Sequence, residues 1–248
     1  MGSDYEASAR LRDRARQLWQ DLGDGAAFAP VPRAAVTPRS RLCPPGWAGL
    51  VVISEAVLIT APDQASAGLI EHALSDVPAA SVTSAQVLGR RLPIAEMRGP
   101  ATLAYLDPAE FRPETGDVVT TLDPGHPGFR RFLLAVSPDD REESGMEEIS
   151  TPAFAVQERG QVVAAAGYRN WPGETAHLSV LTAPAVRGRG LARAAASAAV
   201  AHAIASQKLP QWRARPEASR RVARALGFRQ LGSQVSIRLG TAATPPAA

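Results

Sequence analysis

The chain has 248 residues, 45% of them hydrophobic and 21% charged, with a mean hydropathy of −0.09. That length allows one large domain or two small ones, and that apolar content excludes general disorder. The formal net charge is only +3 and there is one cysteine, Cys43, which excludes an internal disulfide and a thiolate-rich zinc site.

No window approaches the ~18 uninterrupted apolar residues of a membrane helix, and the first residues lack the apolar centre of a signal peptide. The expectation is a soluble protein of the cytoplasm with no membrane partner. Gly2 opens a myristoylation-like start, but Glu6 stands where that motif wants Ser or Thr.

From Asp4 to Leu22, Leu11, Ala15, Leu18 and Trp19 recur at helical spacing, which predicts an amphipathic packing helix. Prolines 30, 32, 38, 44 and 45 then make a connector of residues 28–47. Two Val- and Ile-rich runs, AGLVVISE and AVLITAP, read as a pair of strands. Asp63 is placed to cap a helix reaching His72. A second helix is expected over Val82 to Leu92, then a strand from Ala101 to Leu106, with a domain boundary near residue 115.

In the second half, Gly128 to Val136 reads as a helix and PDDREESGMEE as an exposed acidic loop. Three strand-like stretches follow, PAFAVQE, QVVAAAGYR and AHLSVLT, with Arg159-Gly160 and Trp171-Pro172-Gly173 as the turns between them. The alanine-dominated run after Gly190 predicts a long helix closed by Leu209-Pro210. QWRAR reads as a short strand, Pro216 to Gly227 as a helix, SQVSIRL as a last strand, and residues 241–248 as a flexible tail. The order describes a mixed sheet with helices on both faces.

The stretch richest in chemistry is the turn Arg187-Gly188-Arg189-Gly190-Leu191-Ala192. Glycines at alternate positions let the chain turn tightly and aim successive N–H groups into one concavity. The turn sits on the first turn of a helix, where unpaired N–H groups and the positive end of the helix dipole attract anions. Arg187 and Arg189 add positive charge at its rim, and the whole suits a pyrophosphate. A triphosphatase loop is excluded because GxxxxGK[ST] is absent, and a dinucleotide fingerprint because Gly188-Arg189-Gly190 lacks a third glycine three residues on.

These residues fit Gln/Arg-x-x-Gly-x-Gly/Ala, and the chain resembles the GNAT superfamily of acyl-CoA-dependent N-acyltransferases. Thr182-Ala183-Pro184 before the turn, the Ala-rich helix after it, and the segment from Ser219 to Phe228 look like its FR47-like branch, over roughly residues 117 to 240. The resemblance implies a GNAT-like domain over 116–240, preceded by an accessory or degenerate GNAT-like α/β domain over 1–115. It implies acetyl-CoA as co-substrate, with the pyrophosphate on the N–H groups of Gly188 to Ala192. The pantetheine and acyl carbonyl would lie along Val180, Leu181 and Thr182, and Ser219 would be a further cofactor contact. The chemistry implied is direct attack by a primary amine on the thioester, with Cys43 not needed as a nucleophile.

For the base that takes the amine proton, the resemblance points to the strand before the turn. Glu174 at its start is the first candidate and His177 within it the second, on opposite faces by alternation. Tyr168 and Trp171, near the hairpin turn, are candidates to line a substrate pocket. Two positions depart from the family: Pro216 stands where an Asn is common, and Arg224 where a Tyr commonly serves as acid.

Charge is uneven, since eleven of the 27 Lys and Arg fall between Arg187 and Arg238 against one acid, Glu217. Either a polyanion or solvent must meet them. The reading is an N-acetyltransferase acting on a small-molecule or peptide amine. The alternatives are a noncatalytic acyl-CoA-binding module and, with only 5% aromatic residues and no stacking platform to support it, a nucleic-acid-binding protein.

Overall fold

The computed structural model describes residues 2–115 and 119–240, with side chains from Glu6 onward. In chain order the elements are α1 (Gly2–Leu22), β1 (Ala34–Val36), β2 (Ala48–Ile53), β3 (Ala56–Ala61), α2 (Gln64–Leu74), α3 (Ala85–Arg91) and β4 (Ile94–Tyr105). Then come β5 (Val119–Leu122), α4 (Pro127–Ala135), α5 (Pro138–Ser144), β6 (Ala153–Glu158), β7 (Gln161–Trp171) and β8 (Thr175–Thr182). The chain finishes with α6 (Leu191–Ala205), β9 (Leu209–Ala214), α7 (Glu217–Ala225) and β10 (Arg229–Leu239). It divides into two compact units, residues 1–103 with 231–248, and residues 104–230. The boundary expected at 115/116 falls inside the second unit, and most of β10 falls in the first, where it pairs antiparallel with β2 from Gly232↔Ile53 to Ile237↔Ala48. The tail expected at 241–248 lies outside the described residues.

In the first unit the strand order is β1-β3-β2-β10-β4. β2 and β3 form the expected hairpin, and Leu50, Val52, Val57 and Ile59 join Ile70 and Leu74 of α2 and Leu88 of α3 in one core. Leu11, Ala15, Leu18 and Trp19 of α1 are buried as their spacing predicts. Asp63 caps α2 by accepting from the Ser66 N–H at 2.7 Å, a bond that holds its carboxyl below the usual range. Burial pushes the Cys43 thiol up to about 11, which leaves it a thiol and a poor nucleophile at neutral pH.

The second unit carries the order β9-β8-β7-β6-β5. All neighbours are antiparallel except β8 and β9, which are parallel. Along β8 the even-numbered residues Ala176 and Leu178 join the core under α6, with Ala195, Ala199 and Val200. Leu181 faces the opposite way, toward Phe129, Phe132 and Met146. The small side chains of α6 let its backbone sit close to the sheet, which brings the helix start to the end of β8.

Three expectations need correction. The PDDREES stretch is a helix rather than a loop. Ser137 caps it by accepting from the Asp140 N–H at 3.1 Å, Pro138 takes the first helical position, and Gly145 closes it at φ 62°. β4 starts at Ile94, well before Ala101, because its first half is an exposed strand without the apolar run that marks a buried one. β5 has no counterpart in the sequence reading, being four residues with two exposed threonines.

Candidate active site

The ladder between β8 and β9 is short. Its rungs are Thr175↔Leu209, Ala176↔Pro210 and His177↔Gln211, yet β8 continues to Thr182 and β9 to Ala214. Beyond the third rung the strands part. Alternate residues of β8 there turn N–H and C=O groups toward a gap instead of a paired neighbour. The stretch from Val180 to Thr182 lies in this unpaired part.

From Thr182 the chain passes through one 3-10 turn, Pro184–Val186, and reaches α6 through residues 187–190. Gly188 and Gly190 adopt φ of 81° and 86°, values open to glycine and costly for other residues. Gly190 is the N-cap residue of α6 and has no side chain to satisfy the first N–H groups. Its carbonyl accepts from Arg193 at 2.8 Å and Ala194 at 3.2 Å. The N–H groups of Gly188, Arg189 and Gly190 meet no backbone acceptor among the described residues. A Cβ placed on either glycine would meet nothing within 4 Å. The result is an open, N–H-lined cradle at the positive end of a 15-residue helix, which fits a pyrophosphate.

The side chains around the cradle are less free than expected. Arg187 donates to the Thr182 carbonyl at 3.3 Å and pairs with Asp140 at 2.8 Å. Arg189 forms a fork on both oxygens of Glu158, at 2.6 and 3.2 Å. Arg193, one turn into α6, pairs with Glu114 at 2.6 Å. The Arg187 guanidinium, with Ser137, holds the Asp140 carboxyl below its ordinary range. An incoming phosphate therefore competes with carboxylates for Arg187 and Arg189, and only the backbone groups are unengaged. Leu191 is buried in the core under α6, so its contribution to the cradle is its N–H, while Ala192 is half-buried in the first turn. Ser219 is half-buried and its hydroxyl accepts from the buried Trp212 indole at 3.0 Å. Arg224 is tied to Glu217.

The structure separates the two candidate bases. Glu174 sits in the turn before β8 at φ 50°, exposed and paired with Lys208 at 2.8 Å. Lys208, by hydrogen bond and charge, holds its carboxyl below the usual range. Three paired rungs lie between Glu174 and the opening of the strands. His177 stands on the last rung. Its ring stacks on Trp171, centroids 3.9 Å apart and 7° from parallel, and its Nδ1 lies 2.5 Å from Gln211 Oε1. Because an amide oxygen only accepts, Nδ1 carries the proton and the Nε2 lone pair is free. Burial drives the His177 pKa down to about 3, with Arg213 and Arg169 adding to the fall and Gln211 opposing it. The imidazole is neutral at physiological pH.

Trp171 thus serves as a platform for His177. Tyr168 points to the other face, fully buried, with its hydroxyl 3.0 Å from His202 Nδ1 of α6. Gln211 was not singled out from the sequence, although a Gln between apolar strand residues, Leu209-Pro210-Gln211-Trp212, is a visible anomaly. Among the described residues no group of three or more His, Cys, Asp or Glu is arranged to hold a metal ion, and no helix is long and apolar enough to cross a membrane.

The GNAT acetyltransferase family model matches residues 152–233, inside which the parted strands, the glycine turn and α6 all lie. The match is to the superfamily and singles out no branch. Among solved structures, the chain is similar to a GCN5-related N-acetyltransferase-like protein from Streptococcus suis 89/1591, with TM-score 0.49, 17% identity, and 92% of this chain and 98% of that one covered. An acetyltransferase of the GNAT family from Colwellia psychrerythraea gives TM-score 0.46 at 16% identity, over 60% of this chain and 59% of that one. A Salmonella typhimurium protein solved with its cofactor acetyl-CoA gives 0.37 at 20%, over 54% and 100%. Comparison with curated proteins gives no match.

Proposed function

We propose, from the match of residues 152–233 to the GNAT acetyltransferase model, that the protein transfers an acetyl group from acetyl-CoA to a primary amine. The observation that supports this most strongly is the juxtaposition of two features on one strand. β8 parts from β9 after His177 and then delivers the chain into an open, N–H-lined glycine cradle at the start of α6.

Gly188, Arg189, Gly190, Leu191 and Ala192 would hold the pyrophosphate through backbone N–H groups, and the unpaired edge of β8 from Val180 to Thr182 would hold the pantetheine arm. Acetyl-CoA, when bound, supplies an acyl carbon activated as a thioester, whose C–S bond breaks as the amine N–C bond forms. An N–H of the unpaired β8 edge polarises the acyl carbonyl. His177 Nε2 accepts the proton that the amine nitrogen loses, while Nδ1–H stays on Gln211. His177 is neutral at physiological pH, so its Nε2 lone pair is available to that proton. Glu174 has no part in the step.

His177→Gln should lower kcat by about 10²-fold and leave acetyl-CoA affinity within about twofold, whereas Glu174→Gln should leave kcat within about twofold. Steady-state kinetics on an amine panel, with thiol release as the signal, checks both. A kcat that falls for Glu174→Gln and not for His177→Gln would reverse the assignment. The acceptor is a small-molecule or peptide amine; acyl-CoA binding with no turnover on any amine would favour the noncatalytic module instead.

A further inference from the structure

Gln211 is completely buried, at 0% exposure, on the last rung that β9 shares with β8. Its two amide atoms are treated differently. Oε1 accepts from His177 Nδ1–H, while Nε2, also buried, has no hydrogen-bond partner among the described residues. A buried amide with one side unsatisfied is a poor way to fill space, since an apolar residue of the same size would leave no donor orphaned. The bond to His177 is the interaction that Gln211 makes.

We propose that Gln211 is a positioning residue for the acyl transfer, acting through His177; the proposal rests on the reading of His177 as the proton acceptor. Two constraints fix the imidazole. Stacking on Trp171 sets the plane of the ring, and the Gln211 oxygen sets its tautomer, with the proton on Nδ1 and the lone pair on Nε2. A neutral imidazole without such a partner divides itself between two tautomers, one of which cannot accept a proton at Nε2. Gln211 supplies this orientation without a charge. The other charged groups at this place are Arg169 of β7, itself paired with Glu148 of the 3-10 turn Met146–Glu148, and Arg213 of β9. A carboxylate in place of Gln211 would have formed an ion pair with the imidazole and raised its basicity.

The test combines side-chain nitrogen NMR with kinetics on the full chain. In 15N-labelled wild-type protein, with the signal assigned by its loss in His177→Gln, His177 should be neutral, protonated at Nδ1 and bare at Nε2. In Gln211→Leu that preference should disappear and kcat should fall at least tenfold with acetyl-CoA affinity unchanged. Gln211→Glu covers the case in which Gln211→Leu does not fold. It keeps the accepting oxygen, so the Nδ1–H tautomer should persist and the acidic limb of the pH–rate profile should move up by about one unit. A proton on Nε2 in the wild type overturns the proposal, as does a pH–rate profile for Gln211→Glu that superimposes on the wild type. Wild-type protein that neither binds acetyl-CoA nor turns over any amine overturns the acyltransferase reading instead, and the tautomer still decides whether Gln211 orients His177.

Discussion

At the scale of single residues, His177 and Glu174 show why candidate bases cannot be ranked by type. A carboxylate and a neutral imidazole can each accept a proton, but Glu174 lies in solvent beside Lys208 and on the closed side of the β8–β9 ladder. His177 is three residues later, at the opening. Strand alternation told the two apart by face. It gave no sign of where β9 stops pairing with β8, because that depends on a partner strand more than thirty residues away. Gln211 was missed for the same reason, its role being set by the residue across the rung.

The neutral state of His177 also affects stability. Its folded value of about 3 lies below the ordinary 6.5, so between those values the unfolded chain takes up a proton that the folded chain refuses. Stability therefore falls as pH drops from 6.5 toward 3. His177→Gln should flatten that slope. Denaturant midpoints of both proteins at pH 7 and pH 4.5 check this, and the loss on acidification should be smaller in the variant.

Among the elements, the agreement between sequence and structure follows the strength of the local signal. α6, the β6–β7–β8 meander, the β2–β3 hairpin and the glycine turn each rest on contiguous residues that favour one conformation, and all appear where their sequences place them. α5 was hidden by its acids. Charge suggested a loop, although Ser137, Pro138, Asp139 and Asp140 form a strong helix start and Gly145 a strong stop. The consequence reaches the site, because Asp140 of this helix occupies Arg187 at the rim of the cradle. Asp140→Asn would remove a competitor for that guanidinium. Acetyl-CoA should bind up to about fivefold more tightly at low ionic strength, the range expected for an exposed ion pair, and the gain should shrink in 0.5 M salt. Calorimetric titration at two salt concentrations measures it.

For the molecule as a whole, the basic run that begins at Arg187 finds an internal explanation. Nine of its eleven Lys and Arg are in ion pairs, with acids such as Asp140, Glu158, Glu114 and Glu110 drawn from earlier in the chain. Exposed pairs of this kind add little stability, but they cancel the local field that a polyanion would need. The full chain is expected to show no oligonucleotide binding above the level of a protein of similar net charge at 0.15 M salt, a result that fluorescence anisotropy can check. Composition exposed the imbalance; only the fold shows that the acids outside the run are its counterpart.

The central claim is that the glycine cradle and the parted strands together hold an acyl-CoA. Calorimetric titration of the protein with acetyl-CoA and CoA, with Gly190→Asp alongside, tests it most directly. The account requires saturable binding of both ligands by the wild type, and its loss in a variant that keeps its circular dichroism, since the Asp side chain puts bulk and negative charge where the phosphates rest. Absence of binding in the wild type, or equal affinity in Gly190→Asp, would contradict it.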